Sequence, residues 1–205
     1  MATKPILFNT QMVRAILDGR KSCTRRIVKP QWEECPNCKY VHNEYIYDNL
    51  AENVYCARCG YPLEPERRSP YQPEDILYVR ETWHRYTKRV GKGEGCHLEE
   101  HYGYKASIAN SEDAEEPWKP SIHMPKKAAR IWLKVTNVRV ERLQDITSEQ
   151  IYREGTEVEE PFVLNGEEKR YAFSVLWNST IKKSDLDRYG WDANPYVFVI
   201  EFVKI

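Results

Sequence analysis

From Thr10 the apolar residues Met12, Val13, Ile16 and Leu17 recur on one helical face, and Gly19 follows where a left-handed cap belongs. This predicts a short helix ending near Asp18. Arg20 to Pro30, with Thr24, Ile27 and Val28, suits an extended strand leaving that helix. Further strands are predicted over Ile76–Thr82 and His101–Ala106, with the Gly- and Lys-rich stretch Tyr86–Gly95 as a loop between them. Asn110–Pro120, acidic and broken by proline, reads as a connection. In the run from Arg130 to Leu143, Ile131, Leu133 and Val135 alternate and Val138 and Val140 continue in shifted phase. This predicts one long strand with a bulge at Thr136 and Asn137. Thr147 to Gln150 fits a capping box opening a helix over Ser148–Glu154, closed by Gly155. Ala172, Phe173, Leu176 and Trp177 have helical spacing within Tyr171–Ile181, and Tyr196–Val203 is a strand apolar on both faces. Short strands at separated positions, with a few short helices between them, favour an α+β fold built on a small mixed barrel.

Trp32 to Pro65 breaks this pattern. It is rich in Cys, Tyr, Asn and Pro and has no amphipathic period, so it reads as an insertion (32–65) within a single domain spanning 1–205. Cys35-Pro-Asn-Cys38 and Cys56-Ala-Arg-Cys59 are two Cys-x-x-Cys pairs. Two residues between thiolates let a tight turn aim both sulfurs at one ion, and two such turns complete a tetrahedral four-sulfur shell. Zinc is the expected metal and the site structural, since four thiolates leave no open position; iron in a rubredoxin-like site shares the spacing. A module this small lacks a core of its own, so the metal supplies its folding energy. Cys23 has no such partner. Cys96, His97 and His101 are spaced like ligands but lack a second pair, and are expected to be ordinary loop residues.

Lys plus Arg and Asp plus Glu each total 31, so the chain as a whole is no polycationic coat for nucleic acid or membrane. Basic surface is local. One cluster is Lys4, Arg14, Arg20, Lys21, Arg25, Arg26 and Lys29 against Asp18 alone; another is Lys119, Lys126, Lys127, Arg130 and Lys134 with no acid between them. No apolar run is long enough to span a bilayer and the first residues lack a signal-peptide core, so a cytoplasmic protein with reduced cysteines is expected.

The segment Gly19-Arg-Lys-Ser-Cys-Thr-Arg25 follows a short N-terminal helix. After it come Val-Arg-Glu-Thr-Trp (79–83), Val-Thr-x-Val (135–138), Arg-Glu-Gly (153–155) and the closing Tyr-Val-Phe-Val-Ile-Glu-Phe (196–202). In this order the motifs resemble the ASCH domain family, over most of the chain outside the Cys-rich insertion, and most nearly its phage and prophage members. The resemblance implies a PUA-like β-barrel with flanking helices, whose relatives bind RNA or modified nucleotides in a cleft. It also implies that some members hydrolyse acyl groups from modified cytidines and that others are ribonucleases. The Lys, Thr and Glu of the amidohydrolase members match Lys21, Thr24 and Glu154.

Three functions follow as expectations. The first is binding of RNA or a nucleotide derivative in a cleft formed by Gly19, Arg20 and their neighbours to Arg26. Lys21, Arg25 and Arg26 would hold phosphate, and Glu81 and Trp83 would read or stack the base, beside the basic Lys126, Lys127 and Arg130. The second is hydrolysis of an N-acylated cytidine or an RNA phosphodiester by Lys21, Thr24 and Glu154. A Thr hydroxyl is a poor nucleophile until a base takes its proton, and Lys21 is the candidate base. On a regular strand, however, residues three apart such as Lys21 and Thr24 point to opposite faces. The third is a phage assembly or interaction factor that meets a protein partner through the zinc ribbon.

Overall fold

The computed structural model describes residues 1–29, 31, 35–39, 45–48, 53–62, 69–108, 117–156 and 166–205. Its centre is a five-stranded sheet of β1 (Thr3–Leu7), β2 (Cys23–Ile27), β5 (Ile76–Arg80), β8 (Trp132–Arg142) and β9 (Tyr196–Lys204), in the order β1-β5-β8-β9-β2. β1 runs parallel to β5 and the other pairings are antiparallel. The fold is therefore α+β and mostly sheet. In place of the expected closed barrel, the described residues form an open sheet with β1 and β2 as its edges. The sheet curls enough for Arg26 Nη2 on one edge to donate to the Leu7 carbonyl on the other, at 3.1 Å.

Helix α1 (Thr10–Leu17) connects those two edge strands along the chain. Asn9 caps it by accepting from the Met12 amide, and Val13, Ala15 and Ile16 bury its inner face. The core follows from the alternation of β9. Tyr196, Phe198, Ile200 and Phe202 face Ile6, Val13, Ile16, Leu77 and Leu133, while Val197 and Val199 face Ile151, Phe173 and Trp177. That two-sided burial is why β9 is apolar at both parities. On its second face lie α2 (Ser148–Arg153) and α3 (Gly166–Ser179). Thr147 and Gln150 close the capping box of α2, and α3 begins before the predicted Tyr171. β8 shifts register between Val135 and Asn137, where the sequence places a bulge.

Two small sheets stand apart. β3 (Tyr45–Asp48) and β4 (Asn53–Cys56) form a hairpin in the Cys-rich segment, anchored by Val54, which is buried in the main core. The rest of 32–65 lies largely outside the described residues, as does 109–116 of the acidic connection. β6 (Trp83–Val90) and β7 (His97–Tyr104) form a second hairpin. Tyr86–Val90, expected as loop, is thus strand. Its outer half is exposed on both faces, so no apolar alternation marks it. The expected strand at His101–Ala106 starts earlier and ends at Tyr104. A short helical segment, α4 (Leu186–Tyr189), precedes β9. No helix among the described residues is long and apolar enough to cross a membrane.

Candidate functional site

β2 begins at Cys23. Residues 20–22 instead form a turn held by the Ala15 carbonyl, which accepts from the amides of Arg20 (2.9 Å) and Lys21 (3.0 Å). Gly19, at φ +75°, makes that turn. Because Lys21 lies outside the strand, strand alternation does not separate it from Thr24. Both line a pocket of about 210 Å³ between the β1–α1 junction, β2 and α3, and Glu154 joins them from the C-terminal end of α2. Gly155, at φ +76°, lets the chain turn away immediately after Glu154. The other walls include Phe8, Met12, Phe173, Leu176 and Trp177.

Lys21 Nζ donates to the Cys23 carbonyl (2.7 Å), the Glu154 carbonyl (2.7 Å) and Glu154 Oε2 (2.9 Å), which accounts for all three ammonium protons. Glu154 Oε1 accepts from Arg25 Nη1 at 3.0 Å. Arg25 Nη2 in turn donates to Gln150 Oε1 (3.0 Å), the oxygen that also closes the α2 capping box, and to Glu141 Oε2 (3.2 Å). The network continues from Glu141 to Arg139, from Arg139 to Glu201, and from Glu201 to Arg153, whose Nε returns to Ser22 Oγ at 3.0 Å. Lys21, Arg25, Arg139 and Arg153 thus alternate with Glu154, Glu141 and Glu201. Burial would raise the carboxyl of Glu201, but Arg139 and Arg153 outweigh it and hold that group below the ordinary carboxylate range. The Cys23 thiol is pushed up to about 12, first by burial and then by the negative charge of Glu154. In contrast, the Thr24 hydroxyl makes no hydrogen bond among the described residues.

The remaining predicted residues separate into two groups. Arg26 keeps to the pocket, stacking 5.7 Å from the Phe8 centroid, and Arg20 pairs with Asp18 at the surface. Glu81, Trp83, Lys126, Lys127 and Arg130 do not line this pocket. Glu81 is buried in a two-point pair with Arg130 (2.8 and 2.9 Å), and Trp83 packs on Met124 and Ala128. Lys127 reaches Glu100 at 2.9 Å, and Lys126 lies over Tyr78 and Trp132. The sequence reading missed the apolar wall supplied by Phe8 and Trp177, whose only signal was helical or strand periodicity shared with core residues.

Cys35, Cys38, Cys56 and Cys59 have their sulfurs all within 4.8 Å of one another. The Cys35–Cys59 and Cys38–Cys56 sulfurs are each 3.7 Å apart, matching the ~3.8 Å edge of a tetrahedron with ~2.3 Å metal–sulfur bonds. The two turns share one geometry. Lys39 N donates to the Cys35 carbonyl and Gly60 N to that of Cys56, with φ of 54° at Lys39 and 66° at Gly60. The Cys59 amide donates to Cys56 Sγ at 3.4 Å. Burial raises the Cys59 thiol, but amide and side-chain donors led by Tyr61 N–H bring it down to about 6. Such amide-to-sulfur bonds stabilise thiolates, so the donor set fits a thiolate-bound metal. Cys96, His97 and His101 form no such group among the described residues.

Comparison with protein-family models, with curated proteins and with solved structures finds no match.

Proposed function

We propose that this chain is an ASCH-type, PUA-like hydrolase that removes the acyl group from a small N-acylated cytidine, with a structural zinc at the four cysteines. The observation that carries the reading is the convergence of Lys21, Thr24 and Glu154 on one pocket, with Lys21 Nζ 2.9 Å from Glu154 Oε2. At about 210 Å³ the pocket is below the ~300 Å³ lower range of drug-sized sites, so it suits one small ligand better than a strand of RNA. Lys21 and Arg25 each have a side chain only 1% exposed and already paired with carboxylate, which favours an uncharged reacting group over phosphate. The aromatic walls suit a flat heterocycle.

In the reaction, Lys21 passes one ammonium proton to Glu154 along their contact. Its freed amine takes the Thr24 hydroxyl proton as that oxygen attacks the acyl carbon. The carbon–nitrogen bond breaks, and the exocyclic nitrogen leaves as an amine carrying the proton from Lys21. Water then attacks the Thr24 ester, releasing the carboxylic acid and restoring the hydroxyl. The sum is amide plus water to amine plus acid.

The test is chromatographic detection of cytidine released from N-acetylcytidine by the metal-bound protein. Thr24→Ala and Lys21→Ala should each lower turnover at least ~100-fold with the melting transition of Thr24→Ala unchanged. Cytidine binding by calorimetry without any turnover would replace this reading with a nucleotide-binding module at the same pocket. Full activity of Thr24→Ala would remove the nucleophile.

A further inference from the structure

We propose that the outer face of the sheet over β1, β5, the start of β8 and the end of β9 is a docking surface for an acidic amphipathic helix of a partner protein. Pro5, Tyr78 and Trp132 are successive cross-strand partners, and the Ile205 amide donates to the Trp132 carbonyl at 3.0 Å, so one row crosses four strands. A second row, two residues along, runs through Ile76, Lys134 and Val203. Their chain neighbours Ile6, Leu77 and Leu133 point the other way, into the core. The Tyr78 and Trp132 ring centroids lie 6.0 Å apart. Around them Pro5 is exposed, as are Ile122 (59%), Val203 (49%) and Ile205 (64%).

Helices already cover the neighbouring part of this face. On the same side of β9, Ile151 of α2 and Phe173 and Trp177 of α3 bury Val197 and Val199. The cover stops there, and Val203 and Ile205 at the far end of the same strand stay open. A helix laid across the open part would continue the layer.

Charge decides what that helix carries. Lys126 Nζ lies 5.9 Å from the Tyr78 centroid and 5.8 Å from that of Trp132, and Arg80 Cζ lies 5.6 Å from that of Tyr78. Neither cation makes an ion pair among the described residues. Arg80 donates from Nη1 to the Ile122 carbonyl at 3.2 Å, and its Nε is buried without an acceptor. Glu74, beside the second row, is already taken by Lys134 at 2.7 Å. Apolar side chains flanked by carboxylates therefore complement this face. A second copy of the chain fits worse, since a two-fold contact sets the same unpaired cations against each other. A membrane also fits worse. Lys126 stands over the rings at the centre of the patch, where its ammonium would enter the acyl layer, whereas membrane-facing cations sit at the rim.

The test titrates the intact metal-bound protein into a fluorescein-labelled helical peptide of about 18 residues, with leucines on one face and glutamates flanking them, followed by anisotropy. The same peptide with lysine in place of glutamate should bind at least about tenfold more weakly. Lys126→Glu should weaken the glutamate peptide about tenfold and strengthen the lysine peptide, and Ile205→Asp should weaken both. Both positions are exposed, so the variants keep the core intact. The titration needs no turnover, so this surface and the acyl-cytidine site succeed or fail separately. Absence of binding, equal affinity for the two peptides, or parent affinity in either folded variant would overturn the proposal. Binding to phosphatidylserine vesicles that Ile205→Asp abolishes, in preference to the peptide, would assign the face to a membrane instead. A dimer in sedimentation that Ile205→Asp dissociates would assign it to a second copy.

Discussion

Lys21 Nζ and Glu154 Oε2 lie 2.9 Å apart although 133 residues separate them, and both side chains are almost fully buried. The pair joins the turn after α1 to the end of α2, and Arg25 binds the second oxygen of the same carboxylate. A carboxylate shared by two buried cations costs little while complete and much when broken. Glu154→Gln should therefore destabilise the protein by about 3–5 kcal/mol in urea titration, because it leaves two buried positive charges against a neutral amide. Lys21→Met with Glu154→Leu should recover part of that loss while abolishing turnover. Equal stability of Glu154→Gln and the parent would show that the network is solvated.

Asp75 fastens the start of β5 to the N-terminal strand. Its carboxylate accepts from Lys4 Nζ at 2.7 Å and from the amides of Ala2 (2.8 Å) and Gln72 (3.0 Å). Burial alone would raise its pKa, but these donors outweigh it and hold the group below the ordinary Asp value. A folded-state pKa below the unfolded one contributes stability above about pH 4, which is lost as pH falls through the lower folded value. Asp75→Asn should lower stability at neutral pH and flatten the acid limb of the stability curve. An acid limb identical in the two proteins would refute the assignment.

The cysteines should separate into three classes under iodoacetamide at mildly alkaline pH. Cys96 is exposed and should react quickly. Cys23, buried and with its thiol held up at about 12, should react only on unfolding. The other four should be protected by metal and released together by a chelator, with one equivalent of zinc appearing in a colorimetric assay. Their release should melt the β3–β4 hairpin more than the central sheet, because Cys56 ends β4 and the turns around Cys35 and Cys59 are held to the hairpin through the four sulfurs. Alkylation of all four without a chelator would exclude a bound metal.

What the sequence discloses of this fold is local. The capping box at Thr147 and Gln150, the bulge after Val135 and the paired cysteine turns each depend on residues a few positions apart, and each is legible as a pattern. β1 is not, since the exposed Thr3, Pro5 and Leu7 conceal that Ile6 is core and that the strand pairs in parallel with β5. Among the site residues, Lys21, Thr24 and Glu154 are legible by motif, but their sharing one pocket depends on a turn that ends before β2 starts. Glu81 and Arg130 show the opposite case: both look like ligand-binding residues in isolation, and they bind each other.

The meeting of Lys21 and Glu154 rests on Gly155. A Cβ there would lie 2.6 Å from Ala15 Cβ and 3.0 Å from Lys21 Cβ, and φ at this position is +76°. Neither neighbour can yield easily, because Ala15 is buried on α1 and its carbonyl holds the 20–22 turn. Gly155→Ala thus meets two costs, ~1–2 kcal/mol for a side chain in left-handed backbone and a comparable amount for overpacking. The structure relieves both by moving the end of α2 away from α1, and that movement carries Glu154 from Lys21. The variant should lose about 2–4 kcal/mol in urea titration. Its acyl-cytidine turnover should fall at least ~10-fold at temperatures where it is still folded, since a misplacement of about 1 Å is enough to disable a positioned group. Wild-type turnover in the folded variant would mean that hydrolysis does not require the contact between Lys21 and Glu154.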